Sequence, residues 1–250
     1  MRGLIVIVSM CVFFASVSSG VTPEEQFHQG NDYFEARHFD SARQAYNQVI
    51  AQDMQSASLY FNMGNACFRS GDLGYAILYY LKAQRLDPSD TDIISNLDFA
   101  RRFTSVQMEG VALNPVRSLF ESIVEPYQLS TLAWISSAAF LLFFGFLITR
   151  FGFGYRNSIV RAGIYNSLFL LLVVATLTMM KYDNDYLTKR AVVISETAEV
   201  YTGPSDLSDK ELDAAPGLIV EILSESGDFY NVLFENKRRG WIKKDLVAVV

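Results

Sequence analysis

Two long stretches without charge constrain this chain more than any other feature of its sequence. No Asp, Glu, Lys or Arg occurs between Pro126 and Thr149 or between Ala162 and Met180. A helix of roughly 20 apolar residues crosses the hydrocarbon core of a bilayer, and each stretch is long enough. Two buried helices of a soluble protein are the alternative, which is disfavoured because soluble cores seldom contain two such runs so close together. We therefore expect transmembrane helices at residues 129–149 and 162–180.

The short loop between these stretches predicts their orientation. Residues 150–161 contain Arg150, Arg156 and Arg161 and no acidic residue, whereas the outer flanks carry both signs of charge. Loops rich in Lys and Arg stay in the cytoplasm. The pattern predicts a membrane hairpin with a cytoplasmic loop, and it places both soluble parts in the periplasm, at a bacterial inner membrane.

The N-terminus independently predicts that the part of the chain that follows it is exported to the periplasm. Arg2 precedes an apolar run, and small residues follow from Ser16 to Gly20, as in a secretory signal peptide cleaved before Val21. Lipid attachment at Cys11 is the alternative, but Met10 is too large for the residue before a lipidated cysteine. Removal of residues 1–20 leaves Cys67 as the remaining cysteine, so no intrachain disulfide is expected.

Residues 21–104 contain an internal repeat. Its matching pairs, each 34 residues apart, are Gly30 with Gly64, Asn31 with Asn65, Ala42 with Ala76 and Tyr46 with Tyr80. This period and pattern resemble the tetratricopeptide repeat, in which two helices stack at small residues. The resemblance implies two full repeats and a capping helix from Asp92 to Phe103, with Asp90 or Ser89 as its cap. Cys67 is expected to be a core residue.

The resemblance also implies a binding surface. In this family the first helix of each repeat lines a concave groove that holds an extended segment of a partner protein. The residues expected to face the groove are Phe27, Asn31, Phe34, Asn62, Asn65, Phe68, Arg69, Asn96 and Arg102. Asn side chains can bond a peptide backbone and Arg side chains a carboxylate. The alternative for the aromatic residues is that they only pack between helices.

A connector at residues 105–128 leads from the repeats to the first span. Asn114 and Pro115 form a helix start. Val116, Leu119, Phe120 and Ile123 follow at helical spacing. This predicts a short amphipathic helix, which lies either on the membrane surface or against the repeats.

Residues 181–250 read as a small all-β domain. Short apolar runs alternate with turns such as Gly203-Pro204 and Pro216-Gly217, which predicts five strands in a closed barrel. The segment from Ser205 to Ala215 is long and acidic and is predicted to be a loop. The order of these elements resembles the bacterial SH3-like domain. Such domains bind peptides or cell-wall material, or pack against a neighbour, and the aromatic residues expected to form a surface are Tyr201, Tyr230 and Trp241.

No motif in the sequence points to catalysis, a cofactor or a metal. The two histidines, His28 and His38, both lie in the first repeat, and no phosphate-binding loop or cysteine pair is present. Residues 21–104 contain 7 basic and 11 acidic residues and residues 182–250 contain 8 and 13, so neither part offers a basic face for nucleic acid. We expect a non-enzymatic protein.

The complete order of elements resembles a more specific protein family than any single domain does. A signal peptide, tetratricopeptide repeats, a membrane hairpin and an SH3-like domain together resemble the BatE-type proteins of the Bacteroides aerotolerance operon. The resemblance implies a multidomain membrane protein with other membrane proteins as partners, Bat-type von Willebrand-domain proteins among them. We expect it to act as a scaffold that holds these partners through its repeat groove and its SH3-like domain together. Binding of peptidoglycan by the SH3-like barrel is the alternative function.

Overall fold

The structure, a computed structural model, describes residues 21–105, 124 and 127–250. The predicted signal peptide and most of the predicted connector, including its amphipathic helix, lie outside the described residues.

Seven α-helices precede a β-sheet in the described part of the chain. The first five helices are α1 (Pro23–Glu35), α2 (Phe39–Ile50), α3 (Ala57–Arg69), α4 (Leu73–Leu86) and α5 (Thr91–Ser105).

Polar residues at the helix starts explain where these helices begin. Thr22 and Glu25 form a reciprocal capping box at α1, with Pro23 at the first helical position. The hydroxyl of Ser56 accepts a hydrogen bond from the N–H of Leu59 at the start of α3. At α5 it is Asp90, one of the two predicted caps, whose carboxylate accepts from the N–H groups of Asp92 and Ile93. These caps satisfy N–H groups that have no partner within the helix.

Glycines set the distance between the two helices of each repeat. A Cβ atom on Gly30 would lie 2.4 Å from the ring of Tyr46, and one on Gly64 would lie 2.7 Å from the ring of Tyr80. Both tyrosines are buried, and Cys67 packs in the same core with no exposed surface. The repeated Gly and Tyr positions therefore form one contact, made once in each repeat.

Two further helices, α6 (Leu129–Phe151) and α7 (Ser158–Tyr182), pack together as an antiparallel hairpin. The hydroxyls of Ser136 and Thr178 lie 2.9 Å apart across this pair, and Gly163 lies against the ring of Phe146. Both helices are long and apolar enough to cross a membrane, with mean hydropathies of 2.1 for α6 and 1.8 for the helix that continues from Ser158 to Leu187. The apolar stretches read from the sequence are thus helical.

The last part of the chain forms one antiparallel sheet. Its strands are β1 (Arg190–Val193), β2 (Ala198–Tyr201), β3 (Lys210–Ala214), β4 (Ile219–Ser226), β5 (Phe229–Phe234), β6 (Arg239–Lys243) and β7 (Val247–Val249). They lie in the order β3-β2-β6-β5-β4-β1-β7, so β3 and β7 are the two ends and the described ladder does not close. The prediction of a closed five-stranded barrel is therefore not confirmed.

One strand lies where the sequence predicted only a loop. The segment from Lys210 to Ala214 pairs with β2, and the ammonium of Lys210 forms ion pairs with Glu199 at 3.1 Å and Asp213 at 2.7 Å. Charged side chains suit an edge strand because they oppose pairing with another chain. This strand was not predicted because strands were predicted from apolar runs, and most of its residues are charged.

The sheet packs against the helical repeats. The strand register places Val192, Ile219 and Ala248 opposite one another on β1, β4 and β7, and these residues pack with the repeat core. Gly74 of α4 lies directly against the backbone of Val193 and Ile194. The sheet therefore docks against α4, the second helix of repeat two. The first helices of the two repeats, α1 and α3, lie elsewhere on the array.

Candidate partner-binding site

The asparagines predicted to face a partner form hydrogen bonds inside the array. The Oδ1 atom of Asn31 accepts from the hydroxyl of Tyr46 at 2.8 Å and from the Nδ2 atom of Asn62 at 2.9 Å. In the second repeat, Asn65 accepts from the hydroxyl of Tyr80 at 2.7 Å. Asn31 and Asn62 therefore connect the first helices of the two repeats.

Because the two tyrosines are buried, these hydrogen bonds matter for the stability of the array. A phenol is protonated at neutral pH and can donate; burial raises the pKa of Tyr46 to about 12 and raises the pKa of Tyr80 further, so both remain donors well into the alkaline range. A buried hydroxyl without an acceptor would be costly. Asn31 and Asn65 are the acceptors that the second helix of each repeat requires, a role that the sequence pattern alone did not reveal.

The remaining predicted residues divide between packing and exposure. Phe27 packs against the ring of Tyr46, with centroids 5.9 Å apart, and Phe34 meets Phe39 edge to face at 5.4 Å. The amide of Asn96 donates to the carbonyl of Asp92 within α5.

Phe68 and Arg69 lie at the end of α3, and Arg102 lies in the last turn of α5. Arg69 is exposed, and its guanidinium lies 5.0 Å from the centre of the Phe39 ring. Arg102 is also exposed. Phe68, half-buried on α3, contacts two phenylalanines of α5.

These contacts define an aromatic patch of Phe68, Phe99 and Phe103. The three rings touch one another, with centroids 5.3–5.7 Å apart. Phe99 is 50% exposed and Phe103 is 56% exposed. Large exposed side chains in contact with one another mark an interaction surface. Phe103 was not among the residues expected to face the groove, although its spacing of four residues from Phe99 places the two side chains on the same face of a helix.

The family model for the tetratricopeptide repeat matches residues 27–91. The helical array is built of tetratricopeptide repeats. Arrays of this kind present extended binding surfaces and mediate protein–protein interactions. No curated protein matches the chain.

The tetratricopeptide repeats hold their cysteine in an unreactive state. Cys67 is completely buried, and burial raises the pKa of its thiol to about 12. The thiolate is the nucleophilic form of cysteine, so a thiol with this pKa is inert at neutral pH. Among the described residues, no group of three or more His, Cys, Asp or Glu side chains is placed to hold a metal ion.

The aromatic residues predicted for the β-sheet do not share one face. Tyr201 lies opposite Trp241 in the ladder between β2 and β6, whereas Tyr230 lies opposite Ile242. Adjacent residues of a strand point to opposite faces, so Tyr230 belongs with the core side of the sheet and Trp241 with the other side. Tyr230 packs at the core of the sheet, and the ammonium of Lys244 lies 5.0 Å from its ring centre.

Proposed function

We propose that this chain is a non-enzymatic, membrane-anchored scaffold that binds partner proteins through its tetratricopeptide repeats. The aromatic patch of Phe68, Phe99 and Phe103 carries the proposal. Binding energy at protein interfaces concentrates in a few large side chains, and two of these rings are half exposed. Arg69 and Arg102 are exposed residues on the same helices as the patch, α3 and α5, and their positive charge suits a partner segment that carries both apolar and acidic side chains.

We further propose a location and a class of partner for this scaffold. We place the anchor in the bacterial inner membrane, with the repeats and the β-sheet in the periplasm and the loop of α6 and α7 in the cytoplasm. The partners would be membrane proteins of the Bat type, with von Willebrand-type domains, in an envelope complex related to aerotolerance. We also propose that the β-sheet acts as an SH3-like domain and contributes to the binding of these partners.

Affinity capture from solubilised membranes tests the scaffold. The tagged full chain should recover a stoichiometric partner protein, and the pair Phe99→Ser and Phe103→Ser should lower recovery about tenfold or more, since truncating two central aromatic residues commonly costs at least 2 kcal/mol. Leu207→Ser is the matched control, because it removes a side chain that is 97% exposed on the β-sheet domain. Equal recovery by all three chains would refute the role of the patch.

The orientation has its own test. Cysteines at Ser89 and Leu207 would be periplasmic and one at Ser158 cytoplasmic, and all three positions are exposed. In a Cys67→Ala background, a membrane-impermeant thiol reagent on intact spheroplasts should label the first two and spare the third. Labelling at Ser158 with protection of the other two would invert the proposed topology.

Binding of peptidoglycan is a second candidate, supported by the pairing of Tyr201 with Trp241 on the face of the sheet away from its core. The full chain would be sedimented with purified peptidoglycan. Retention should fall with Trp241→Ala and stay unchanged with Tyr230→Phe, which alters the other face. Retention that is equal for both variants, or absent in the unmodified chain, would argue against this function.

A further inference from the structure

A cavity of about 340 Å³ lies where the three parts of the described chain meet. We call it the junction cavity. Its wall includes the end of α4, the start of α6, the end of α7 with the turn that follows, and the start of β1. No feature of the partner-binding surface extends into it, because the aromatic patch lies on α3 and α5.

Basic side chains dominate the charged part of this wall. Arg85, Lys181 and Arg190 line the cavity, and Asp185 is the acidic side chain among the lining residues. Lys181 is almost completely buried, and its ammonium pairs with the carboxylate of Asp185 at 3.3 Å. The guanidinium of Arg85 lies 5.8 Å from the centre of the Tyr186 ring, and Arg190 donates to Asn184. The described side chains of the wall thus carry a net positive charge, and Lys181 among them is shielded from water.

The cavity also has an apolar part and a defined position along the hairpin. Leu81, Leu86 and Leu129 contribute to its wall. Because α6 and α7 are antiparallel, Leu129 and Lys181 lie at the same end of the hairpin. Tyr127, Tyr182 and Tyr186 are about half exposed at this end. Exposed tyrosines collect at the level of lipid headgroups, so the cavity lies at that level if the hairpin spans the membrane as proposed.

We propose that the junction cavity binds the phosphate group of an anionic phospholipid. Guanidinium groups bond phosphate oxygens in pairs, and an ammonium adds a further donor. The neighbouring leucines would contact the glycerol and the first methylenes of the acyl chains. Basic pockets beside membrane helices select anionic headgroups in this way, whereas the cationic amine of a zwitterionic lipid would be repelled. This inference rests on the membrane anchoring of the proposed function and not on its partner.

The test uses the full chain purified in detergent and native mass spectrometry. Phosphatidylglycerol and phosphatidylcholine with the same acyl chains are titrated separately, and inorganic phosphate is titrated without lipid. One phosphatidylglycerol should bind about tenfold more tightly than phosphatidylcholine. The pair Arg85→Gln and Arg190→Gln should remove this preference. Arg85→Gln alone should reduce it, and this exposed residue can be changed with little effect on folding.

The matched control is the pair Lys237→Gln and Arg239→Gln, which makes the same change in net charge at two exposed positions, one in the turn before β6 and one at the first residue of β6. This control should bind phosphatidylglycerol as the unmodified chain does. Equal binding of the two lipids, or equal loss in the control and cavity variants, would overturn the proposal. Inorganic phosphate binding as tightly as the lipid would overturn the assignment to lipid. Partner capture by a chain without lipid preference would leave the scaffold function standing.

Discussion

Gly74 should control whether the β-sheet stays docked on the repeats. A Cβ atom there would lie 2.8 Å from both the Cα atom of Ile194 and the carbonyl oxygen of Val193. Both are backbone atoms, and the same carbonyl accepts a 2.8 Å hydrogen bond from the N–H of Gly217. Gly74→Ala therefore cannot be accommodated by rotating a side chain, and the strand must move away from α4.

The magnitude follows from overpacking alone. Overpacking a tight contact costs about 1–3 kcal/mol. The better helix propensity of alanine does not offset this cost, because α4 stays helical whether the sheet is docked or not. The cost of docking is then at least about 1–2 kcal/mol, which raises the undocked fraction about 5–30-fold or more.

Thiol labelling of the full chain in detergent measures this fraction. Thr104 is 6% exposed and lies against Gly217 across the interface, so Thr104→Cys reports undocking through its rate of modification. Buried Cys67 serves as an internal reference, since it reacts only when the repeats unfold. Gly74→Ala should accelerate labelling at position 104 about 5–30-fold and leave Cys67 unchanged.

Gly145→Ala is the matched control, because nothing other than the adjoining residues and the backbone of its own helix lies within 4 Å of a Cβ at that position. It should leave both labelling rates unchanged. If Gly74→Ala labels at position 104 no faster than the unmodified chain, the sheet does not depend on close contact with α4, and the docking described above would be wrong.

Three further predictions concern the interior of the repeats. Tyr46→Phe should lower the free energy of unfolding by about 1 kcal/mol, and Asn31→Ala by about 1–3 kcal/mol because it leaves the phenol without its acceptor; chemical denaturation of both single variants and the double variant should show coupling, and additive losses would contradict the Asn31–Tyr46 bond. Burial raises the pKa of Tyr46 and of Tyr79 from 10.0 to about 12, so the folded state holds these protons more tightly than the unfolded state. Their stabilising effect should be complete below pH 10.0 and lost as pH rises through about 12; melting temperatures across this window should fall less for Tyr46→Phe, and a flat profile would refute the burial argument. The Cys67 thiol, with its pKa raised to about 12, should resist alkylation at neutral pH until denaturant is added, whereas rapid labelling of the folded chain would show that it is not buried.

Features that depend on local spacing were readable from the sequence. The spacing of 34 residues between Gly30 and Gly64 predicted the repeats because each repeat makes the same contact between its own two helices. The uncharged stretches predicted two long helices, since an apolar run of that length has few other uses. Asp90 was readable as a cap because its partners are only two and three residues away.

Features that depend on distant neighbours were decided only by the tertiary structure. Asn31 was expected to bond a partner, and the sequence did not show that its Oδ1 atom also accepts a hydrogen bond from the hydroxyl of Tyr46, a buried donor on the next helix. Tyr230 and Trp241 were grouped by composition, whereas strand register separates them, since one residue of offset moves a side chain to the other face. The junction cavity unites Arg85, Lys181 and Arg190 from three separate elements. Their proximity depends on how the repeats, the hairpin and the sheet pack, which no local pattern encodes.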